Sequence, residues 1–183
     1  MQLDQESGLL EQADYVPSPN QDERPEPADI DTLVIHAISL PPDCFGGCHV
    51  EELFTNCLDP LHHSYFAEIQ DLRVSAHFLI KRDGQLLQFV PTTMRAWHAG
   101  ESSFEGREKV NDFSIGIELE GCDTIAFEAP QYRQLATLTK AICDVYPAIT
   151  HARIVGHCDI APGRKTDPGP CFDWQRYQEL LLS

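Results

Sequence analysis

Apolar positions in this chain recur with two periods, and the periods divide it into strands and helices. Residues 32–36 (TLVIH) set three β-favouring apolar side chains in a row, which predicts a strand covered on both faces and ending at His36. Residues 113–121 (FSIGIELEG) alternate strictly. They predict a strand with Phe113, Ile115, Ile117 and Leu119 on its core face and Ser114, Gly116, Glu118 and Glu120 on the other. The small residues of the second set leave open space above the sheet beside Glu118, whereas Glu120 reads as a solvated edge carboxylate. Residues 74–80 and 85–90 flank Asp83-Gly84 and predict a hairpin. A further strand over 153–157 again ends at a histidine, His157.

Helical spacing takes over elsewhere. Val50, Leu53, Phe54 and Cys57 predict a short amphipathic helix over 50–58. The longest helix spans 130–146, opened by Pro130, with Leu135, Leu138, Ile142 and Val145 in one stripe that covers a sheet face. Residues 173–182 close the chain as a helix with Asp173 as its N-cap and Trp174, Tyr177, Leu180 and Leu181 turned inward. Between these elements, 59–72 reads as a long irregular segment of the kind that forms binding loops or lids, with Tyr65 and Phe66 able to line a cleft. Residues 95–100 are too short for an element. Residues 1–31 are acidic and punctuated by Pro17, Pro19, Pro25 and Pro27, so they read as an extended arm packed on a body formed by 32–183.

Composition narrows the class. A chain of 183 residues suits one domain, and 42% hydrophobic with 23% charged residues is ordinary for a soluble globular protein. No run approaches the roughly 18 apolar residues of a membrane span. Met1 to Leu10 carries two acids and no base ahead of its apolar pair, unlike a secretory leader, so the expected location is the cytoplasm. Seven cysteines, an odd number without CxxC spacing, argue against a disulfide framework and a thiolate metal site.

A net charge of −16 excludes a general nucleic-acid binder. Residues 1–31 hold nine acids and one base, a net of −8, which leaves −8 for the remaining 152 residues. There the bases gather at Arg73, Lys81 and Arg82, Arg95, Arg107 and Lys109, and Arg164 and Lys165. Local basic pockets in an acidic protein suit a small anionic substrate.

The chemistry concentrates in 154–170, an apolar run that breaks into a Pro/Gly-rich loop holding His157, Lys165 and Asp167. His157 and Asp167 are ten residues apart and can converge only if the loop folds back on itself. With His36 they make two imidazoles and a carboxylate, the ligand set of a catalytic zinc site with its fourth position open, although ligand type alone also admits iron, cobalt or nickel. Glu118 is the candidate general base and then acid, and Lys165 the candidate for stabilising an oxyanion.

The motifs LVIH with SLPP (33–42), SAHFLI with RDG (75–84), RAWHAG (95–100), NDFSIGIELEG (111–121), GHCDIAPGRKTDPGP (156–170) and FDW (172–174) occur in one order. In these the chain resembles the zinc amidases that cut N-acetylmuramoyl-L-alanine bonds, over about residues 15–180. The resemblance implies an α/β fold, a mixed central β-sheet flanked by helices in a single domain. It implies Zn2+ on His36, His157 and Asp167, with Glu118 and Lys165 catalytic. The implied substrate is an anhydro-muropeptide, cut between the lactyl group of 1,6-anhydro-N-acetylmuramic acid and L-alanine by a monomer that binds neither nucleic acid nor membrane. Arg73, Trp97, Arg107 and Lys109 would help hold sugar and peptide. Two departures stand out: Ala37 where close relatives usually show Asn, and Lys109 where they show Arg, each expected to affect substrate affinity and not metal chemistry. Two other readings stay open, a peptidoglycan-binding module that has lost catalysis and a zinc peptidase or deacetylase, although no HExxH is present.

Overall fold

The computed structural model describes residues 1–27 and 29–183. Its strands, in chain order, are β1 (Asp14–Tyr15), β2 (Gln21–Asp22), β3 (Thr32–Ile38), β4 (Phe78–Ile80), β5 (Leu86–Gln88), β6 (Arg95–Ala96), β7 (Ser103–Phe104), β8 (Arg107–Glu108), β9 (Ser114–Glu120) and β10 (Ile154–Gly156). Its helices are α1 (His49–Phe54), α2 (Ser64–Ile69), α3 (Ala129–Val145), α4 (His157–Ile160) and α5 (Trp174–Leu182). Six strands form one mixed sheet in the order β1-β5-β4-β9-β3-β10, antiparallel between β4 and β5 and parallel elsewhere.

The two long strands are the middle of the molecule, and their apolar runs explain why. Leu33 and Ile35 of β3 pair in register with Ile115 and Ile117 of β9, and all four are fully buried under Leu135, Leu138 and Ile142 of α3 and Tyr177 of α5. The opposite face is shared. Leu53 and Phe54 of α1 and Phe66 of α2 close over Leu79, Leu87 and Phe89, while Val34 meets Val110, Phe113 and Ile160. The polar members of the alternation, His36 on β3 and Glu118 on β9, lie on this second face.

Several expected elements change shape. The strand over 32–36 continues past His36 to Ile38, and His157 does not end a strand but opens α4 after β10 stops at Gly156. The helix expected over 50–58 is only His49–Phe54. The segment 59–72 is not irregular throughout. It holds α2, which has a single fully buried residue, Phe66, so its amphipathic signal is too weak to read. Phe113 leaves the core face assigned to it because a 3-10 turn at Val110–Asp112 delays the strand to Ser114, and its ring joins Val34 and Ile160.

Glu120 is a clear correction. It is 6% exposed, and its carboxylate accepts from the backbone N–H of Gly46 at 2.5 Å and of Arg82 at 3.0 Å, so it pins two loops together rather than facing solvent.

The described residues of the N-terminal arm are stitched to the body. β1 pairs with β5, β2 pairs with β6, and Leu3 and Leu10 enter the core. Arg24 is 8% exposed, and its guanidinium donates to the carbonyls of Thr92, Asn111, Asp112 and Ser114. No described helix is long and apolar enough to cross a membrane.

Candidate metal centre and cleft

Backbone pairing brings the site together. β3 lies beside β9 with His36 opposite Glu118, and beside β10 with Ile35 opposite Gly156, so His36, Glu118 and His157 share one end of the sheet. The loop after α4 then folds back. The N–H of Cys158 donates to the carbonyl of Asp167 at 2.9 Å, and Arg164 ties the loop to the carbonyls of Ala99 and Glu101. Gly156 permits the approach, because a Cβ there would stand 2.8 Å from Cδ of Pro168. Asp167 is carried back over the strand end as a result.

Three donor atoms converge. His36 Nδ1 is 2.9 Å from His157 Nδ1 and 3.3 Å from Asp167 Oδ2, and His157 Nδ1 is 3.1 Å from the same oxygen. Donors on zinc at roughly 2.0–2.2 Å in tetrahedral arrangement would stand about 3.3 Å or slightly more apart. The observed triangle is close to that size. Among the described residues this is the one group of three or more His, Cys, Asp or Glu side chains able to hold a metal ion. His157 donates from Nε2 to the carbonyl of Ala99 at 3.2 Å, which leaves its Nδ1 a bare lone pair aimed at the meeting point. The donor set therefore fits a divalent cation of the borderline class.

Electrostatics agree with a cation here. Burial lowers the His36 imidazole to about 4, and the neighbouring His157 and Lys165 add to it against the opposing pull of Asp167. Burial would raise Asp167, but hydrogen bonding and charge from His157 and His36 hold its carboxyl well below the usual carboxylate range. A neutral imidazole at His36 and an ionised carboxylate at Asp167 are the protonation states that a metal cation requires of its ligands. Glu118 behaves in the opposite way. Burial first, and the Asp167 charge second, push it well above the ordinary range, while Lys165 partly opposes them. Its Oε2 is buried without a hydrogen-bond partner.

These groups stand in a cleft of about 520 Å³. Trp97, Tyr65, Ile69 and Leu72 give it an apolar wall, and Arg164, Lys165 and Asp123 give it charge. Trp97 reaches it with an indole Nε1 that is buried and unpartnered. Ala37 borders the cleft too, but strand alternation sends its methyl to the α3-side core, away from His36. Any side chain at 37 therefore does not project beside the metal centre from the same face.

Three residues expected at the substrate are not among those lining the cleft. Arg73 is exposed and donates to the carbonyls of Gln70 and Leu72. Arg107 pairs with Asp31 at 2.5 Å and lies over the Phe113 ring at 3.6 Å. Lys109, with a left-handed backbone at φ 58, borders a separate hollow with Gly100 and Arg164.

One residue of the site is missing from the sequence reading. His98 stands 2.9 Å from His36 behind the metal centre and occupies the space over Gly116 that the alternation of β9 leaves open. The only signal for it was its place in RAWHAG.

Comparison with known proteins agrees with this arrangement. The profile of the family described as N-acetylmuramoyl-L-alanine amidase matches residues 26–170. The chain is 57% identical over 176 residues to the 1,6-anhydro-N-acetylmuramyl-L-alanine amidase AmpD of Escherichia coli (strain K12), covering 96% of both chains. It superposes on a crystal structure of a selenomethionine derivative of AmpD with a TM-score of 0.95 at 56% identity, covering 99% of each. A complex of the amidase AmiD from E. coli with anhydro-N-acetylmuramic acid-L-Ala-D-gamma-Glu-L-Lys gives a TM-score of 0.60 at 33% identity, covering 85% of this chain and 59% of that one.

Proposed function

The chain belongs to the N-acetylmuramoyl-L-alanine amidase family, and from that premise we propose that a zinc ion on His36, His157 and Asp167 serves its reaction. That reaction is hydrolysis of the amide between the lactyl group of 1,6-anhydro-N-acetylmuramic acid and L-alanine of the stem peptide, in cell-wall recycling. The observation that carries the metal assignment is the triangle of donor atoms, none more than 3.3 Å from another, beside the unpartnered Glu118 Oε2.

Zinc held by His36, His157 and Asp167 would act as a Lewis acid, which makes water a better nucleophile at neutral pH. The protein supplies proton handling and orientation. Glu118, whose burial raises its affinity for a proton, takes one at Oε2 from the water that attacks the lactyl carbonyl carbon and delivers it to the L-alanine nitrogen as the C–N bond breaks. Lys165, exposed at the cleft, offers its ammonium to negative charge developing on the amide oxygen. Trp97 and Tyr65 present faces to the sugar, and Arg164 and Lys165 suit the carboxylates of the stem peptide.

We assign residues 32–183 to the amidase domain and 1–31 to an arm that braces it. One chain supplies every group of the site, so a monomer suffices. All seven cysteines are free thiols, which fits the reducing cytoplasm.

The test is incubation with anhydro-muropeptide before and after chelation. Peptide should be released by the zinc-loaded chain, disappear on chelation and return with added zinc. Full turnover by thoroughly stripped protein refutes the metal assignment, and binding without cleavage by the loaded protein refutes the catalytic roles.

A further inference from the structure

From His36 a chain of hydrogen bonds runs through His98, which borders the cleft but is 8% exposed, into the body of the protein. His36 Nε2 is 2.9 Å from His98 Nδ1, His98 Nε2 is 3.1 Å from Ser114 Oγ, and Ser114 Oγ is 2.6 Å from the carbonyl oxygen of Val110. The far end fixes the rest. A carbonyl can only accept, so the hydroxyl hydrogen of Ser114 lies on the bond to Val110. Ser114 Oγ must then accept from His98, which puts a proton on His98 Nε2. His98 is 8% exposed, and among the described residues no carboxylate pairs with it. A buried cation without a counter-charge is strongly disfavoured, so the ring is neutral and its Nδ1 is bare. A bare Nδ1 accepts, so His36 donates from Nε2 and its own Nδ1 carries a lone pair. That lone pair faces His157 Nδ1 and Asp167 Oδ2.

We infer that His98 and Ser114 are positioning residues, a relay from the Val110 carbonyl that holds His36 in the tautomer whose Nδ1 binds metal. His157 reaches the same state by one bond to Ala99. Two bare nitrogens 2.9 Å apart repel in the absence of a cation, so the relay both prepares the site and makes it unfavourable when empty. The relay is itself held rigidly. Asn111 Oδ1 accepts from the backbone N–H groups of His98 at 3.1 Å and Ala99 at 2.8 Å, and Gly116 gives the ring a flat seat against β9.

This inference rests on the metal reading above, and the experiment separates the two. Zinc affinity is measured by competition with a chromophoric chelator for the full chain and for Ser114→Ala, His98→Leu and His98→Asn. Loss of an outer hydrogen-bond partner of a metal-bound histidine weakens binding by about 10–100-fold. That range is expected for Ser114→Ala and His98→Leu. His98→Asn, whose amide oxygen can stand where Nδ1 stood, should recover most of the loss, which a purely space-filling role for the ring would not produce. Long-range nitrogen–proton correlation spectra of the zinc-loaded wild type should show the His98 proton on Nε2.

A proton on His98 Nδ1 overturns the relay. So does wild-type affinity in both Ser114→Ala and His98→Leu. Failure of the wild-type chain to bind zinc overturns the metal assignment itself.

Discussion

Gly116→Ala tests how tightly this site is built. A methyl at 116 would stand 2.4, 2.6 and 2.7 Å from Cγ, Nδ1 and Cδ2 of His98, where ordinary contact is about 3.5–4.0 Å. One partner must therefore move by about 1 Å. β9 cannot, because parallel ladders hold it on both sides, to β3 and to β4. His98 moves instead, and a shift of that size breaks its 2.9 Å contact with His36 and its 3.1 Å contact with Ser114.

Forced overpacking costs about 1–3 kcal/mol. Each buried hydrogen bond lost adds about 1 kcal/mol, and replacing a strand glycine by alanine returns about 0.5–1 kcal/mol. The net destabilisation is about 3 kcal/mol. In urea, with a slope of about 2 kcal/mol/M, the unfolding midpoint of the metal-free chain should fall by about 1.5 M. The reasoning is refuted if the midpoint stays within about 0.3 M of wild type, or if a structure of the variant shows His98 unmoved.

Three further outcomes follow from buried polar groups. Glu118→Gln should keep stoichiometric zinc while turnover falls by about 10²–10⁴-fold, whereas His36→Ala should lose both. Because burial raises the proton affinity of Glu118 in the folded state, the wild type loses stability as pH rises above the unfolded carboxyl value of about 4.3. Metal-free Glu118→Gln should therefore unfold at a higher temperature than wild type at pH 7 and at nearly the same temperature at pH 4, as read by scanning calorimetry. Arg24→Met removes a buried guanidinium and orphans the carbonyls it serves, so it should destabilise the chain by about 3 kcal/mol in chemical denaturation.

Much of this structure was legible because its main signals are periodic. β3, β9, the β4–β5 hairpin and the long helix α3 announce themselves by runs and alternations of apolar residues, and two of the three donor residues, His36 and His157, lie at or next to the ends of such runs. Residues whose meaning depends on a partner elsewhere were not legible. Alternation says which face Glu120 occupies, but not that the loop at Gly46 folds over it. Arg24 sits in an acidic, proline-rich stretch and reads as solvated, although it reaches four carbonyls inside the body. His98 matters because a glycine on another strand makes room for it, and no spacing within the sequence records that pairing. Arg107 is a similar case, since the partners that hold its guanidinium, Asp31 and Phe113, are not legible from its own position in the chain.

His36 and Glu118 are register partners on adjacent strands, so the distance between them follows from the interstrand repeat of about 4.8 Å and not from any connecting loop. The spacing of these two side chains is thus set by the sheet and not by the rim. Exposed positions on the cleft border, such as Pro42 and Thr124, can be diversified in a directed-evolution library while the strands beneath keep their geometry. Specificity and reactivity can be selected as separate traits.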